Sequence, residues 1–155
     1  MSEAEVQGRQ QVSDVEAAAY QARREALHDA VTDLEHELEA FEAQSAPDAD
    51  RIGTALRRLR ATLREHVEHA DAPDGLLTQV FETAPWFANR TDQLRNEHVD
   101  LLAATDGLIE RADADEAVET LPADVRVLAD RVSDHRHRGT ALLLDAFMLD
   151  IPAGD

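Results

Sequence analysis

The chain has 155 residues, room for one domain with a core of ordinary size, and carries a formal charge of −18. That charge excludes nucleic acid, whose phosphates require a cationic surface, and disfavours anionic membranes. Cysteine is absent, so there is no disulfide, no thiolate metal site and no cysteine nucleophile, and all 15 basic residues are arginine.

The opening stretch, MSEAEVQGRQQVSDVE, is acidic and polar. Residues 1–12 therefore read as a flexible N-terminal segment lacking the basic and apolar parts of a secretory leader. No run approaches the roughly 18 to 20 apolar residues of a membrane span, and the expected location is the cytoplasm. From about Ser13 to about Glu42 apolar residues recur at spacings of three and four, the period of a helix burying one stripe. Leu27, Val31, Leu34, Leu38 and Phe41 form the stripe, with Arg24 and Tyr20 extending it backwards. QSAPDAD (Gln44 to Asp50) is turn-like.

A second helix carries Ile52, Leu56, Leu59, Leu63, His66 and Ala70, and DAPDG (Asp71 to Gly75) breaks it. The apolar piece LLTQVFETA (Leu76 to Ala84) stops before Pro85 and predicts a short extra helix. A third long helix has Phe87, Thr91, Leu94, His98, Leu101, Thr105 and Leu108 on its stripe, and Asp113 to Thr120 is an acidic linker. The fourth starts near Pro122, a good first-turn residue, and turns Val125, Leu128, Val132, His135, Gly139, Leu142, Ala146 and Leu149 inward. The expected fold is all-α, an antiparallel up-down four-helix bundle over residues 13–150, with 151–155 as a C-terminal tail.

Seven histidines occur. His66, His98 and His135 fall on inward stripes, and His28 follows Leu27 on the edge of its stripe. His36 and His137 point outward, and His69 flanks. Residue counts place the four inner histidines at one level. His28 stands 15 residues before the helix end near Ala43, and His66 stands 16 after Asp50. His98 stands 14 before Ala112, and His135 stands 13 after Pro122. One imidazole per helix in one layer is an economical metal site. Four neutral imidazoles in a dry core otherwise require water or carboxylates as partners. Two readings follow: the layer of His28, His66, His98 and His135 holds a metal, or it is a metal-free polar network.

The stretch LREHVEHADAPDGLLTQVFETAPWFANRTDQLRNEHVDLL (Leu63 to Leu102) and the closing HRHRGTALLLDAFMLDIPAGD resemble hemerythrin-like (hemerythrin HHE cation-binding) domains, with the likeness running from about Asp14 to Asp155. The resemblance implies a four-helix bundle and, in full members, a di-iron site that binds, senses or handles oxygen. It also implies a ligand pattern. A histidine lies on the first helix, and a histidine with a glutamate four later on the second. Two histidines four apart lie on the third, and a histidine with an aspartate five later on the fourth. His28, His66, His98 and His135 match the leading histidines. Ala70 stands in the glutamate's place, Leu94 and Leu102 flank His98 where its partner histidine belongs, and Thr140 replaces the aspartate. Without bridging carboxylates two irons cannot be neutralised and held together, so at most one metal is expected.

Imidazole suits zinc, iron, copper and nickel alike. The expected cofactor is one transition metal, iron or zinc, or none, with Glu68 or Asp134 orienting an imidazole from behind. Glutamate followed by histidine three residues later, the ferritin-like pairing, occurs only at Glu25 and His28. No glycine-rich phosphate loop, Gly-x-Ser-x-Gly turn or interior carboxylate pair is present. Arg57, Arg58, Arg60 and Arg64 are expected to pair with acids of a neighbouring helix. In the HRHR run His135 is expected inward with solvated neighbours, and Trp86 is expected to anchor the end of the bundle. The expected function is a metal-binding or sensing module rather than a turnover enzyme. The rival is a metal-free helical interaction protein, and a third reading is a mononuclear oxidase or peroxidase.

Overall fold

The computed structural model describes residues 3–43 and 49–147, with side chains from Asp14 onward. Four long helices, α1 (Glu3–Glu42), α2 (Asp50–Asp71), α4 (Ala88–Asp113) and α5 (Leu121–Phe147), are joined by a short α3 (Leu76–Thr83) and one 3-10 turn (Pro85–Phe87). There is no strand among the described residues. None of the described helices is long and apolar enough to cross a membrane.

Proline and glycine set the breaks. Ala72, which precedes Pro73, takes φ −60° and ψ 155°, the extended conformation that a following proline imposes. The helix therefore ends at Asp71. Gly75 then lies so close under the chain that a Cβ there would come within 2.3 Å of the His69 carbonyl oxygen. Pro122 sits in the first turn of α5, where no hydrogen bond is lost. α1 begins at Glu3, ten residues before Ser13, so residues 3–12 are helical and continue the bundle helix. The tail 151–155 and the inward position assigned to Leu149 lie outside the described residues.

Ion pairs along every seam show the helices running antiparallel. Glu37 with Arg51 and Asp33 with Arg58 join α1 to α2, and Asp106 with Arg60 and Asp113 with Arg57 join α4 to α2. Arg90 with Asp145 and Arg111 with Asp124 join α4 to α5, and Glu42 with Arg126 joins α1 to α5. On each seam one residue number rises as the other falls, on the last with Tyr20 and Thr140, in hydrogen-bond contact, as the second point, which closes an up-down bundle. The expected partners of the second-helix arginines are thus found for Arg57, Arg58 and Arg60.

Within the bundle the apolar residues form two clusters. The larger one ends at Leu27 on α1, Leu63 on α2, Leu101 on α4 and Val132 on α5. The smaller one starts at Tyr20, Leu94 and Leu142 and includes Leu76, Leu77 and Val80 of α3. Between them lies a buried polar layer: Arg24, His66, His98, His135, Arg136 and Thr140. Trp86 is 75 % exposed. It therefore anchors nothing inside; its ring leans on Phe87, and Phe87 packs against the smaller cluster.

Candidate metal centre

Each histidine of the layer is placed by the stripe that continues past it. On α2, Leu59 and Leu63 are fully buried, and the next step of the same stripe is His66. On α4, Leu94 and Leu101 bracket His98 at intervals of four and three, and on α5 Val132 precedes His135 by three. The hydrophobic periodicity thus drives the imidazoles inward along with the leucines.

The ligand-type nitrogens of His66, His98 and His135 all lie within 4.8 Å of one another. Their ring centroids are 5.4 Å apart for His66 and His98, 5.6 Å for His66 and His135, and 4.8 Å for His98 and His135, each pair edge to face. Nitrogens bound tetrahedrally to an ion at about 2.0–2.1 Å stand about 3.4 Å apart. Closing on an ion therefore asks the rings to move by about 1 Å.

Two imidazoles are held from behind by carboxylates, across helix seams. His98 Nδ1–H donates to Asp71 Oδ2 of α2 at 3.0 Å, and His135 Nδ1–H donates to Glu97 Oε2 of α4 at 2.7 Å. An ionised carboxylate accepts only, so these bonds fix the proton on Nδ1 and leave the Nε2 lone pair free for a metal. Each carboxylate is itself tied to arginine: Arg138 bonds Glu97, and Arg95 Nε lies 3.8 Å from Asp71. Two imidazole nitrogens of the layer, His66 Nδ1 and His98 Nε2, are buried without a hydrogen-bond partner. An unpaired buried polar atom of this kind costs about 1–3 kcal/mol. A metal ion would remove that cost.

The electrostatics favour neutral imidazole. Burial, then the neighbouring His135 and His98, pushes the His66 pKa down to about 3. Burial likewise takes His135 down to about 4, although Glu97 pulls it back upward. Burial pushes Glu97 up, but hydrogen bonds from Arg138 and His135 outweigh it and hold the carboxyl below its usual range. Two neutral rings and an ionised carboxylate behind one of them are what a cation requires.

His28 is not part of this group. Among the described residues the mutually close set is His66, His98 and His135 alone. His28 is half-buried beside Leu27, level with the larger apolar cluster. The residue of α1 in the layer is Arg24, four residues and about 6 Å of rise earlier. α1 therefore sits about one turn away from the level that residue counting from the α1–α2 turn predicts.

Glu68 and Asp134 are exposed, and the orienting positions belong to Asp71 and Glu97. Asp71 is legible only as the last residue before a break; Glu97 is legible in the sequence as an acid flanking its stripe, but that it reaches a histidine on another helix is a relation that no single stripe reveals. His36, His69 and His137 are exposed. Arg136, expected in solvent, is 4 % exposed and belongs to the layer.

On the side of the smaller cluster the trio faces a cavity of about 20 Å³, enough for one water-sized group. Ala70, Leu94 and Gly139 line it, each four residues beyond a histidine of its own helix. The resemblance places a glutamate at the first of these positions and a histidine at either Leu94 or Leu102. Leu76, Leu77 and Leu143 complete the apolar wall, and Tyr20 and Arg23 supply its polar groups. The chain matches no protein-family model, no curated protein and no solved structure.

Proposed function

We propose that the protein binds one transition-metal ion through an imidazole nitrogen of each of His66, His98 and His135, and serves as a metal-binding or sensing module. The observation that carries this reading is the buried trio, with nitrogens within 4.8 Å of one another. Borderline nitrogen donors suit iron or zinc. One ion is the limit, because Ala70 and Leu94 stand where further ligands would have to come from. On this reading the chain is a reduced relative of hemerythrin-like domains. The support is the antiparallel four-helix bundle with histidines on α2, α4 and α5, and the low-pKa His66 and His135 offer their nitrogens without prior loss of a proton.

One observation favours the metal-free rival: Arg24 and Arg136 are buried in the same layer, and their charge opposes a cation. Metal analysis of untagged protein separates the two readings. Growth with metals supplied should give close to one equivalent, lost in His66→Ala and in His135→Ala. A wild-type content under about a tenth of an equivalent defeats the ligand reading.

A further inference from the structure

On the outer surface of the bundle an open groove of about 390 Å³ runs between α4 and α5. Ala104 and Gly107 form its α4 side, and Val127 and Leu128 form its α5 side. A Cβ on Gly107 would meet no atom within 4 Å, and Val127 is 58 % exposed. Glycine inside a helix costs about 1 kcal/mol relative to alanine. Nothing among the described residues fills the space it leaves.

The two ends of the groove differ in charge. At one end Arg111 of α4 meets Asp124 of α5 at 2.6 Å, and at the other stands Arg131 of α5. Asp124 and Arg131 are seven residues apart, two turns on one face of the helix, with Val127 and Leu128 midway between them. Arg111, Arg126 and Arg138 of these two helices each pair with an acid. Arg131 is exposed and has no ion pair or hydrogen bond among the described residues, in a chain with 33 acidic and 15 basic side chains.

We infer that the α4–α5 groove is the contact face of a homodimer, with two copies of the chain related by a twofold axis passing between Val127 and Leu128. An axis there runs the two α5 helices antiparallel. Asp124 of one protomer then faces Arg131 of its partner, and Arg131 faces the partner's Asp124. A twofold contact requires a surface complementary to itself in this way. Each Asp124 joins Arg111 of its own chain to Arg131 of the other, and both unpaired arginines find an acid. At the axis the exposed Val127 side chains leave water, and Gly107 lets the α4 helices approach closely. α5 has 27 residues and is about 40 Å long. Two helices each about 10 Å wide thus present about 800 Å², what a standard interface buries on each partner. The charge of −18 on each copy opposes the contact and keeps it weak.

Sedimentation velocity tests this on the full chain, with EDTA present so that no metal bridges exposed histidines, at about 0.15 M salt. Wild type should pass from monomer to dimer as its concentration rises towards about 1 mM. Arg131→Asp and Asp124→Arg should each weaken the dimer by at least about tenfold, because each sets like charges together at both ends of the contact. Mixed in equal amounts the two variants should associate as wild type does, since one contact keeps its charges and the other has them exchanged. Val127→Glu, at an exposed position, should also abolish the dimer. Circular-dichroism melts report folding, and if Asp124→Arg does not fold, Arg131→Asp and Val127→Glu decide alone. A wild type that stays monomeric throughout overturns the inference, as does a dimer that Arg131→Asp and Val127→Glu leave intact. Folded charge variants that do not recover on mixing overturn it too, because the axis then lies elsewhere. None of these outcomes bears on the histidine layer.

Discussion

At the scale of single residues, the orientation of the imidazoles depends on two acids that touch no ligand site themselves. Asp71 and Glu97 each accept a proton-bearing Nδ1 from a histidine on a different helix. Asp71→Asn and Glu97→Gln should leave helicity unchanged and weaken metal affinity by about 10- to 100-fold in a competition titration with a chromophoric chelator. Equal affinity in both variants would show that the rings orient without them. The histidines also set a pH dependence for the metal-free protein. His66 and His135 stay neutral in the fold down to about 3 and about 4, whereas in the unfolded chain they protonate near 6.5. Between those limits the unfolded state holds more protons, so stability is full above pH 6.5 and falls as pH falls. From pH 6.5 to 5 each histidine should remove about 2 kcal/mol. His66→Leu should flatten that slope in urea melts, and an unchanged slope would contradict the burial of a neutral ring.

At the scale of elements, the helices and their breaks were legible because few residues control them. Stripes of leucine at three and four, Pro73, Pro85 and Pro122 place α2, α3, α4 and α5 within a few residues. The level of α1 was not legible. Neither helix propensity nor periodicity fixes how far a helix slides past its neighbour; the seam contacts of Asp33, Glu37 and Tyr20 do. Three of the four inner histidines meet, and Arg24 stands where counting placed His28. The turn from α4 to α5 holds a further strain. Asp115 and Ala117 both have φ near 50°, a region costly to residues with a Cβ. Ala117→Gly should therefore stabilise the protein by about 1 kcal/mol, read as a higher urea midpoint, unless the added freedom of the unfolded chain cancels it. In the opposite sense, Gly75→Ala should destabilise by about 1–3 kcal/mol, because the new methyl meets the backbone of α2.

For the molecule as a whole, the polar layer divides one core into two, and a bound ion would join them. An ion at 1,000 times its dissociation constant adds about 4 kcal/mol to folding. For a domain of this size that is a rise in Tm of about 10 °C. A chelator should reverse the shift, and a Tm that ignores metal would place the binding outside the bundle core. The charge of −18 acts in the other direction. Self-repulsion of that size is screened by salt, so moderate salt should raise the Tm of the metal-free protein even though it weakens the surface ion pairs.

Arg95 connects parts of the structure treated separately so far. Its side chain lies 3.8 Å from Asp71, donates to Thr78 of α3 at 3.2 Å and stacks over the Phe81 ring at 5.8 Å. Leu76 and Leu77, two of the leucines that close the cavity, belong to that same short helix, and Asp71 is the carboxylate that aims His98. If α3 swings away, the arginine leaves Asp71, and His98 loses its aim as the cavity opens. Uptake and release of an ion would then share one movement, and loosening Arg95 would hasten release more than uptake, because His98 is less firmly aimed.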